Sequence, residues 1–496
     1  MLIDALRARD IPCPILRLSA EILCLIFSHA DDGNIRTKLT ISHVCKKWRD
    51  TALAYPFLWA TLDVGSAASA QSVPLVLARA QGCPLNLSYD KWETYDTGKV
   101  RQCINALEKT ESLTLRLEQG SMHCRETFDV EAPFLCHLMV RLENNVRGVG
   151  PRLIIQHPRL ATLSLVNFTP IWCPGQYSGL TMLRIVCEHD SHRIVPFTAI
   201  RDVLADLPHL EKLVLINCIV FGNRPRSDAK PHPQVSLPCL RIAILSMSIS
   251  LLNSLLDIME LPPSLRLTIQ CWPTTIVRLD DVVNCNTAAF ACLQYVHTLL
   301  IQGYVCSLCG YGENGERILR MYATEPYRID RVAQTFGVLR ILAELTRPMP
   351  CLRTVRIVNL EDLTLSESIH PVFRLPNITR LELAGDVENV ISWLLGHFTS
   401  GSPFFSGLET LVLEDGDLDK AVTRDIAELL GTWPSIRLLR LSNDCCFPRS
   451  IKKAAVRVLG KVVPKIEFFD KPVEVNEDDR VESSKIHLDL LRQWAD

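Results

Sequence analysis

Four short stretches carry residue types that could do chemistry. Gly310, Gly312 and Gly315 are spaced as G-x-G-x-x-G, whose amides cradle a phosphate when a strand precedes the pattern and a helix N-terminus follows it. Glu313 sits inside it and would repel an anion, so this stretch is expected to be a loop. Cys306 and Cys309 form C-x-x-C, half of a zinc set. No second pair follows at finger spacing, and Cys292 and His297 are only loose candidates for the missing ligands. His189, Asp190 and His192 could ligate metal or relay a proton. They have no third ligand or nucleophile nearby in sequence, and a solvated loop is expected there. Trp172 and Cys173 lack a resolving cysteine, since Gln176 fills that place. No catalytic residue, metal or cofactor is assigned.

Without a catalytic set, function has to rest on surfaces. The chain has 496 residues, 48% of them hydrophobic and 22% charged, with a net charge of −2. That balance suits a globular chain built as one large array or as a few domains, and carries no basic excess to argue for nucleic acid. The opening MLIDALRARDIPCP has no basic stretch followed by an apolar one, and no apolar run reaches the ~18 residues of a membrane span. No nucleic-acid or membrane partner is expected. The 19 cysteines are odd in number and mostly sit inside apolar patterns such as LINCIV, where a reduced thiol acts as a small hydrophobe. A reducing compartment follows, cytoplasmic or nuclear.

Residues 16–30 read LRLSAEILCLIFSHA. Ile22, Leu23, Ile26, Phe27 and Ala30 share one helical arc, which predicts a core face, while Cys24 and Leu25 fall off it. Ser19 is placed to cap this helix, Glu21 lies in its first turn, and Leu18 and Leu23 hold the staple positions. After the polar stretch DDGNIRTK, the residues Ile41, Val44, Cys45, Trp48 and Ala52 predict one face of a second helix, which Pro56 ends. Lys46, Lys47, Arg49 and Asp50 lie off that face. Two helices and a Trp-bearing exit rarely supply a core of their own, so this segment must pack on the rest of the chain, on a partner, or on both.

Residues 12–62 resemble an F-box. The resemblance rests on Leu18, Glu21, Ile22, Leu23, Ile26 and Phe27, then Val44, Cys45 and Trp48, then Pro56, Leu58 and Trp59. It implies docking on a Skp-family adaptor and through it on a cullin, with Leu25 added to the adaptor-binding set. Ser19 departs from the family, which has proline there; it preserves helix initiation by capping but weakens the proline's own contact with the partner. One set of apolar side chains on the first helix is expected to pack on the second helix and the other to meet the adaptor.

Over residues 63–470 a core of apolar-x-x-apolar-x-apolar recurs, as in LPHLEKLVLINC and FSGLETLVLEDG. Its last apolar position falls at Leu87, Leu115, Val140, Leu165, Ile185, Leu215, Leu245, Ile269, Ile301, Ile357, Leu383, Leu413 and Leu441, mostly about 24 to 32 residues apart. This is the leucine-rich-repeat period, and the expected fold class is an α/β repeat: a small N-terminal helical F-box, then a leucine-rich-repeat-like solenoid. The double interval between Ile301 and Ile357 predicts one obscured strand. Helices are expected over 200–210 and 423–436, and post-strand polar positions at Cys218, Asn359 and Asn443. The segment 221–236 reads as a projecting loop, and the acidic tail 471–496 as ending in a short helix bearing Ile486, Leu490, Leu491 and Trp494. Lys212, Val214, Arg380, Glu382, Thr410 and Val412 are the expected substrate-facing positions of the strands.

The function these features imply is a non-catalytic substrate receptor of a ubiquitin ligase, its protein substrate unknown. A non-degradative scaffold is the alternative, to which Ser19 lends weight. A solenoid-built enzyme relying on His189 or Cys309 is the third.

Overall fold

The computed structural model describes residues 14–90, 96–118, 127–143, 152–156, 158–168, 177–188, 195–220, 234–272, 287–302, 307–323, 349–358, 377–385, 387–398, 405–414, 416, 418–443, 445 and 452–470. The chain is an α/β protein whose strands run mostly parallel, and it divides into two compact units, Met1–Gly222 and Asn223–Asp496.

The first unit opens with helix α1 (Ala20–Ala30). Ser19 caps it in extended conformation, its Oγ accepting from the Ile22 amide at 3.5 Å. The predicted second helix is two helices, α2 (Ile35–His43) and α3 (Lys46–Leu53), followed by the short α4 (Phe57–Ala60). Cys45 causes the break. Its backbone is extended (φ −160, ψ 173) and its Sγ accepts from the Trp48 amide at 3.5 Å, so it starts α3 and does not continue α2. Helix α2 begins earlier than the polar stretch suggests, because Gly33 turns the chain at φ +79 and the Asn34 side chain caps the Arg36 amide at 2.8 Å.

The main ladder of the first unit is built from β1 (Thr61–Asp63), β2 (Leu85–Asp90), β3 (Thr110–Glu118), β4 (His137–Glu143), β5 (Thr162–Val166), β6 (Met182–Val186) and β7 (Lys212–Ile216). Within this ladder each strand pairs in parallel with the next of the series. Leu115, Val140, Leu165, Ile185 and Leu215 stand opposite one another, so the repeated apolar position forms one buried row. Leu87 stands two residues out of this row and faces Leu113; the bulge between Leu85 and Asn86 brings leucine opposite leucine. Between strands lie helices α5 (Ser72–Leu77), α6 (Thr97–Asn105) and α7 (Phe197–Ala205), the last covering the expected 200–210 helix up to Ala205.

The second unit holds β8 (Ile242–Ser248), β9 (Arg266–Trp272), β10 (Thr298–Gln302), β11 (Ser307–Tyr311), β12 (Arg317–Ala323), β13 (Thr354–Val358), β14 (Arg380–Ala384), β15 (Thr410–Glu414), β16 (Leu438–Ser442) and β17 (Lys465–Phe469). Its helices are α8 (Ile249–Ile258), α9 (Val387–Phe398), α10 (Lys420–Thr432) and α11 (Lys452–Leu459); α10 realises most of the 423–436 expectation. Val235–Ser236 pairs in parallel with Met259–Glu260, so the segment predicted as a loop over 221–236 ends in a strand.

The spatial order here is β8, β9, β12, β11, β10, β13 and onward to β17. The glycine stretch expected to be a loop lies instead in an antiparallel hairpin, from its first strand through its turn. From β10 the chain doubles back through β11 and β12, which fill the space between β9 and β10, and the apolar row continues through Ile269, Met321, Leu308, Ile301 and Ile357. The missing period is thus supplied from the far side of Ile301. Gly310 lies in β11, where an added Cβ would come within 3.1 Å of Val296 Cγ2 and 3.3 Å of Leu319 Cβ. Gly315 takes φ +78 in the turn, and the Gly312 amide donates to the Glu316 carbonyl at 2.9 Å. The glycine spacing therefore serves a tight hairpin.

Gly310→Ala should overpack this hairpin and lower stability by about 1–3 kcal/mol, whereas Gly312→Ala meets only the flexible Glu316 carboxylate and should change it by about 0.5 kcal/mol or less. Thermal unfolding of the two variants side by side checks the contrast.

Candidate docking surface

Helix α1 has two apolar faces, of different fates. Leu23 and Phe27, four residues apart, are 0% exposed. The Phe27 ring meets Trp48 of α3 at 5.1 Å between centroids. Ile22, Leu25 and Ile26 form a second stripe at helical spacing and are 44%, 58% and 36% exposed. The predicted core arc is therefore corrected: it contributes two residues to the core and presents Ile22 and Ile26, with Leu25, to solvent. Of the thirteen large apolar side chains that the described residues leave exposed, eight fall in residues 14–60, Val44, Leu53 and Phe57 among them. Single exposed apolar residues are ordinary, but such a concentration makes this segment the candidate docking surface.

The inner face is held by polar as well as apolar contacts. Lys38 is fully buried; its Nζ donates to the Asp31 carboxylate and, at 2.6 Å, to the Leu58 carbonyl. Burial pulls its pKa down and Asp31 opposes that shift. Trp59 is buried, donates from Nε1 to the Ala52 carbonyl at 2.8 Å, and carries the Arg79 guanidinium over its ring at 4.5 Å. The Asp63 amide donates to the Gly33 carbonyl at 2.9 Å and the Ile35 amide to Ser66 Oγ at 3.1 Å, which fasten the helices to β1 and the turn after it. Lys47 Nζ donates to the Leu18 carbonyl at 2.6 Å, tying α3 to the start of α1. A cleft of about 340 Å3 lies beside α4, lined in part by Ser28, Phe57, Thr61 and Pro84.

The thirteen residues matched or added through the F-box resemblance thus separate. Glu21, Ile22, Leu25, Ile26 and Val44 are exposed; Leu18, Cys45, Trp48 and Pro56 are half-buried; Leu23, Phe27, Leu58 and Trp59 lie in the chain's own core. Hydrogen bonding from Ser19 holds the Glu21 carboxyl below the usual carboxylate range.

On the sheet face opposite the leucine row, charges stand in register. Arg356 faces Glu382, and its Nη2 lies 2.8 Å from Glu414; Arg380 meets Glu382 at 2.6 Å and Arg440 meets Glu467 at 3.5 Å. Of the expected substrate-facing positions, Lys212, Arg380, Glu382 and Thr410 are half-exposed, while Val214 and Val412 are buried.

Sequence reading missed Asn167. It sits just after β5 at φ +55, donates from Nδ2 to the Leu142 carbonyl at 3.0 Å, and accepts on Oδ1 from the Glu188 amide at 2.8 Å, so one side chain bridges the neighbouring turns. The signal was available, since LSLVNF places asparagine directly after the apolar core. Asn443 does match its expected place: its amide donates to the Phe469 carbonyl at 2.8 Å.

Cys309 is a buried strand residue, and burial pushes the Cys292 thiol up to about 11 and the Cys103 thiol up to about 12. Cys218 is likewise buried, as the apolar pattern around it suggested. Among the described residues no three His, Cys, Asp or Glu side chains converge on a metal position, and no helix is long and apolar enough to cross a membrane. Trp172, Cys173, Gln176, His189, Asp190, His192, Cys306, Asn359, most of 221–236 and the tail 471–496 lie outside the described residues. No family model matches the chain, and no curated protein matches it.

Leu23→Ala and Phe27→Ala should each lower unfolding free energy by about 2–5 kcal/mol, and Leu25→Ala by no more than about 0.5 kcal/mol, in denaturant titration. Ser19→Ala should move the Glu21 titration upward toward an ordinary carboxyl, read by NMR. The sign follows from the hydrogen bond: it favours the charged carboxylate, so Glu21's favourable contribution holds above the unfolded-state pKa and is lost as pH falls through the lowered one.

Proposed function

We propose that this chain is the substrate-recognition subunit of a cullin-based ubiquitin ligase of the Skp-cullin-F-box type. Residues 12–62 act as an F-box that docks on a Skp-family adaptor, and the strand arrays of residues 63–470, taken as a leucine-rich-repeat-like solenoid, hold a protein substrate. One observation carries this reading: within the segment that resembles the F-box, Ile22, Leu25 and Ile26 project from a helix whose other face is locked into the chain. A helix so anchored offers a rigid apolar stripe to a groove formed by partner helices. Burying the exposed part of three such side chains contributes roughly 3 kcal/mol, enough to anchor a larger interface.

In this role the protein breaks no bond. It raises the effective concentration of a substrate lysine at the ubiquitin-loaded enzyme, which turns a bimolecular encounter into an intramolecular one. Leu23, Phe27, Leu58 and Trp59 of the family pattern then serve by holding the helices in place, and Glu21, Ile22, Leu25, Ile26 and Val44 by meeting the adaptor. The setting that suits a ligase subunit with many free thiols is the cytoplasm or the nucleus.

Co-purification of the full chain with a Skp-family adaptor tests the reading. The wild type should bind, and an Ile22→Gln, Leu25→Gln double variant should bind at least about tenfold more weakly while unfolding at a similar temperature. Equal binding by both, or none by either, overturns it. Adaptor binding that recruits no cullin selects the scaffold alternative.

A further inference from the structure

Arg184 stands in the middle of β6, between Ser164 of β5 and Val214 of β7. It is 6% exposed, and among the described residues its guanidinium has one hydrogen-bond partner, the neutral hydroxyl of Ser164 at 3.3 Å. Five N–H donors in a planar fork thus share a single uncharged acceptor. Two more cations lie on the same sheet face. Lys212 faces Met182, the residue two before Arg184 and on its side of the strand, and Arg141 faces Val166 across from Ser164's strand neighbour position. Burial first and Arg141 second disfavour the charge on Arg184; burial first and Arg184 second disfavour the charge on Lys212.

The carboxylate that acts on this group is Glu188, and it is already engaged. It meets Arg141 at 3.0 Å and accepts from Asn167 Nδ2 at 3.2 Å. Glu188 thus acts on Arg184 only through space while it bonds to Arg141 and Asn167, and the buried Arg184 guanidinium has no carboxylate in hydrogen-bond contact among the described residues. A charged group held out of water in this way is costly unless something pairs with it. Val166, Val186 and Val214 on the same face are buried, which keeps the local dielectric low and strengthens any charge that enters.

We propose that this face of the first unit binds an oxyanion, a phosphate or carboxylate group, that completes the guanidinium of Arg184, with Arg141 and Lys212 at the rim. The planar fork suits the paired oxygens of either group. The half-exposed Lys212 and Arg141 give access from solvent and add attraction. This site is independent of adaptor docking, since it involves no residue of the helical segment.

Thermal unfolding of the full chain in sodium phosphate, sodium acetate and sodium chloride, at one pH and matched ionic strength, tests the proposal. A ligand that binds only the folded state raises Tm with its concentration. Phosphate or acetate should raise Tm above chloride in a saturable way, and the salt that does so identifies the group bound. Arg184→Met, which replaces the unpaired charge with an apolar side chain of similar length, should lose that increment while unfolding in chloride at or above the wild-type temperature. Lys212→Gln, at a half-exposed position, should weaken the apparent affinity about threefold or more and gives a reading even if the core variant folds poorly. An equal increment in wild type and both variants would be the general effect of an excluded salt and overturns the site; so does the absence of any increment in either salt.

Discussion

A carbonyl shared at the start of many of the strands sets the register on which the rest of the molecule depends. The Ala161 carbonyl accepts from both the Thr181 and Met182 amides, at 2.8 and 3.0 Å. Thr181 does the same for Glu211 and Lys212, Arg353 for Thr379 and Arg380, Thr379 for Glu409 and Thr410, and Glu409 for Arg437 and Leu438. Side chains alternate along a strand, so a slip of one residue would send every leucine to the other face. The doubled bond removes that freedom just where a new strand begins. Ahead of it, a tight turn brings the amide of an apolar residue back to the carbonyl three residues earlier, as Leu210 to Leu207 and Leu408 to Phe405. All four of those side chains are buried, so the turn is anchored in the core it feeds.

The helical segment depends on the same array. Its own core is small, built around Leu23, Phe27, Trp59 and the buried Lys38, and it is completed by backbone bonds to the first strand region. Lys38 is the telling residue. A lysine without exposure is tolerated because Asp31 neutralises it and the Leu58 carbonyl takes another of its donors, and that geometry fixes α2 relative to α4. With the inner side of α1 committed in this way, the outer stripe of Ile22, Leu25 and Ile26 stays outside the core and exposed.

How much of this was legible in the sequence follows from which interactions are local. The thirteen periodic apolar positions all fall in strands, and most face one another, because a repeated pattern with a short period reports directly on a repeated backbone. The Ser19 cap was equally readable, since the cap and its amide are three residues apart. The hairpin of β11 and β12 was not. Its strands fill a gap earlier in the ladder, and nothing in SLCGYGENGERIL says which neighbours it will find. Cys45 misled because apolar spacing continues across it while the backbone does not. On α1 the period marked apolar residues correctly but could not assign faces, since solvent and core differ only in what the other helices leave uncovered.

The open faces of the two units differ in a way that composition hides. In the second unit, opposite charges stand directly across from each other, Arg356 with Glu382 and Arg440 with Glu467, and Lys465 reaches Glu467 at 2.5 Å. Partly exposed pairs of this kind contribute little to stability, about 0–1 kcal/mol each, but they leave the surface balanced. In the first unit Arg116 faces Arg141 across β3 and β4, a like-charge pair in which Arg116 meets Asp90 at 2.9 Å and Arg141 meets Glu188 at 3.0 Å. Arg184, farther along this face, feels Glu188 through space, and its hydrogen bond goes to the Ser164 hydroxyl. A net charge of −2 for the whole chain says nothing of this arrangement. Register decides it, because the same ladder that stacks the leucines on one face dictates which charges meet on the other.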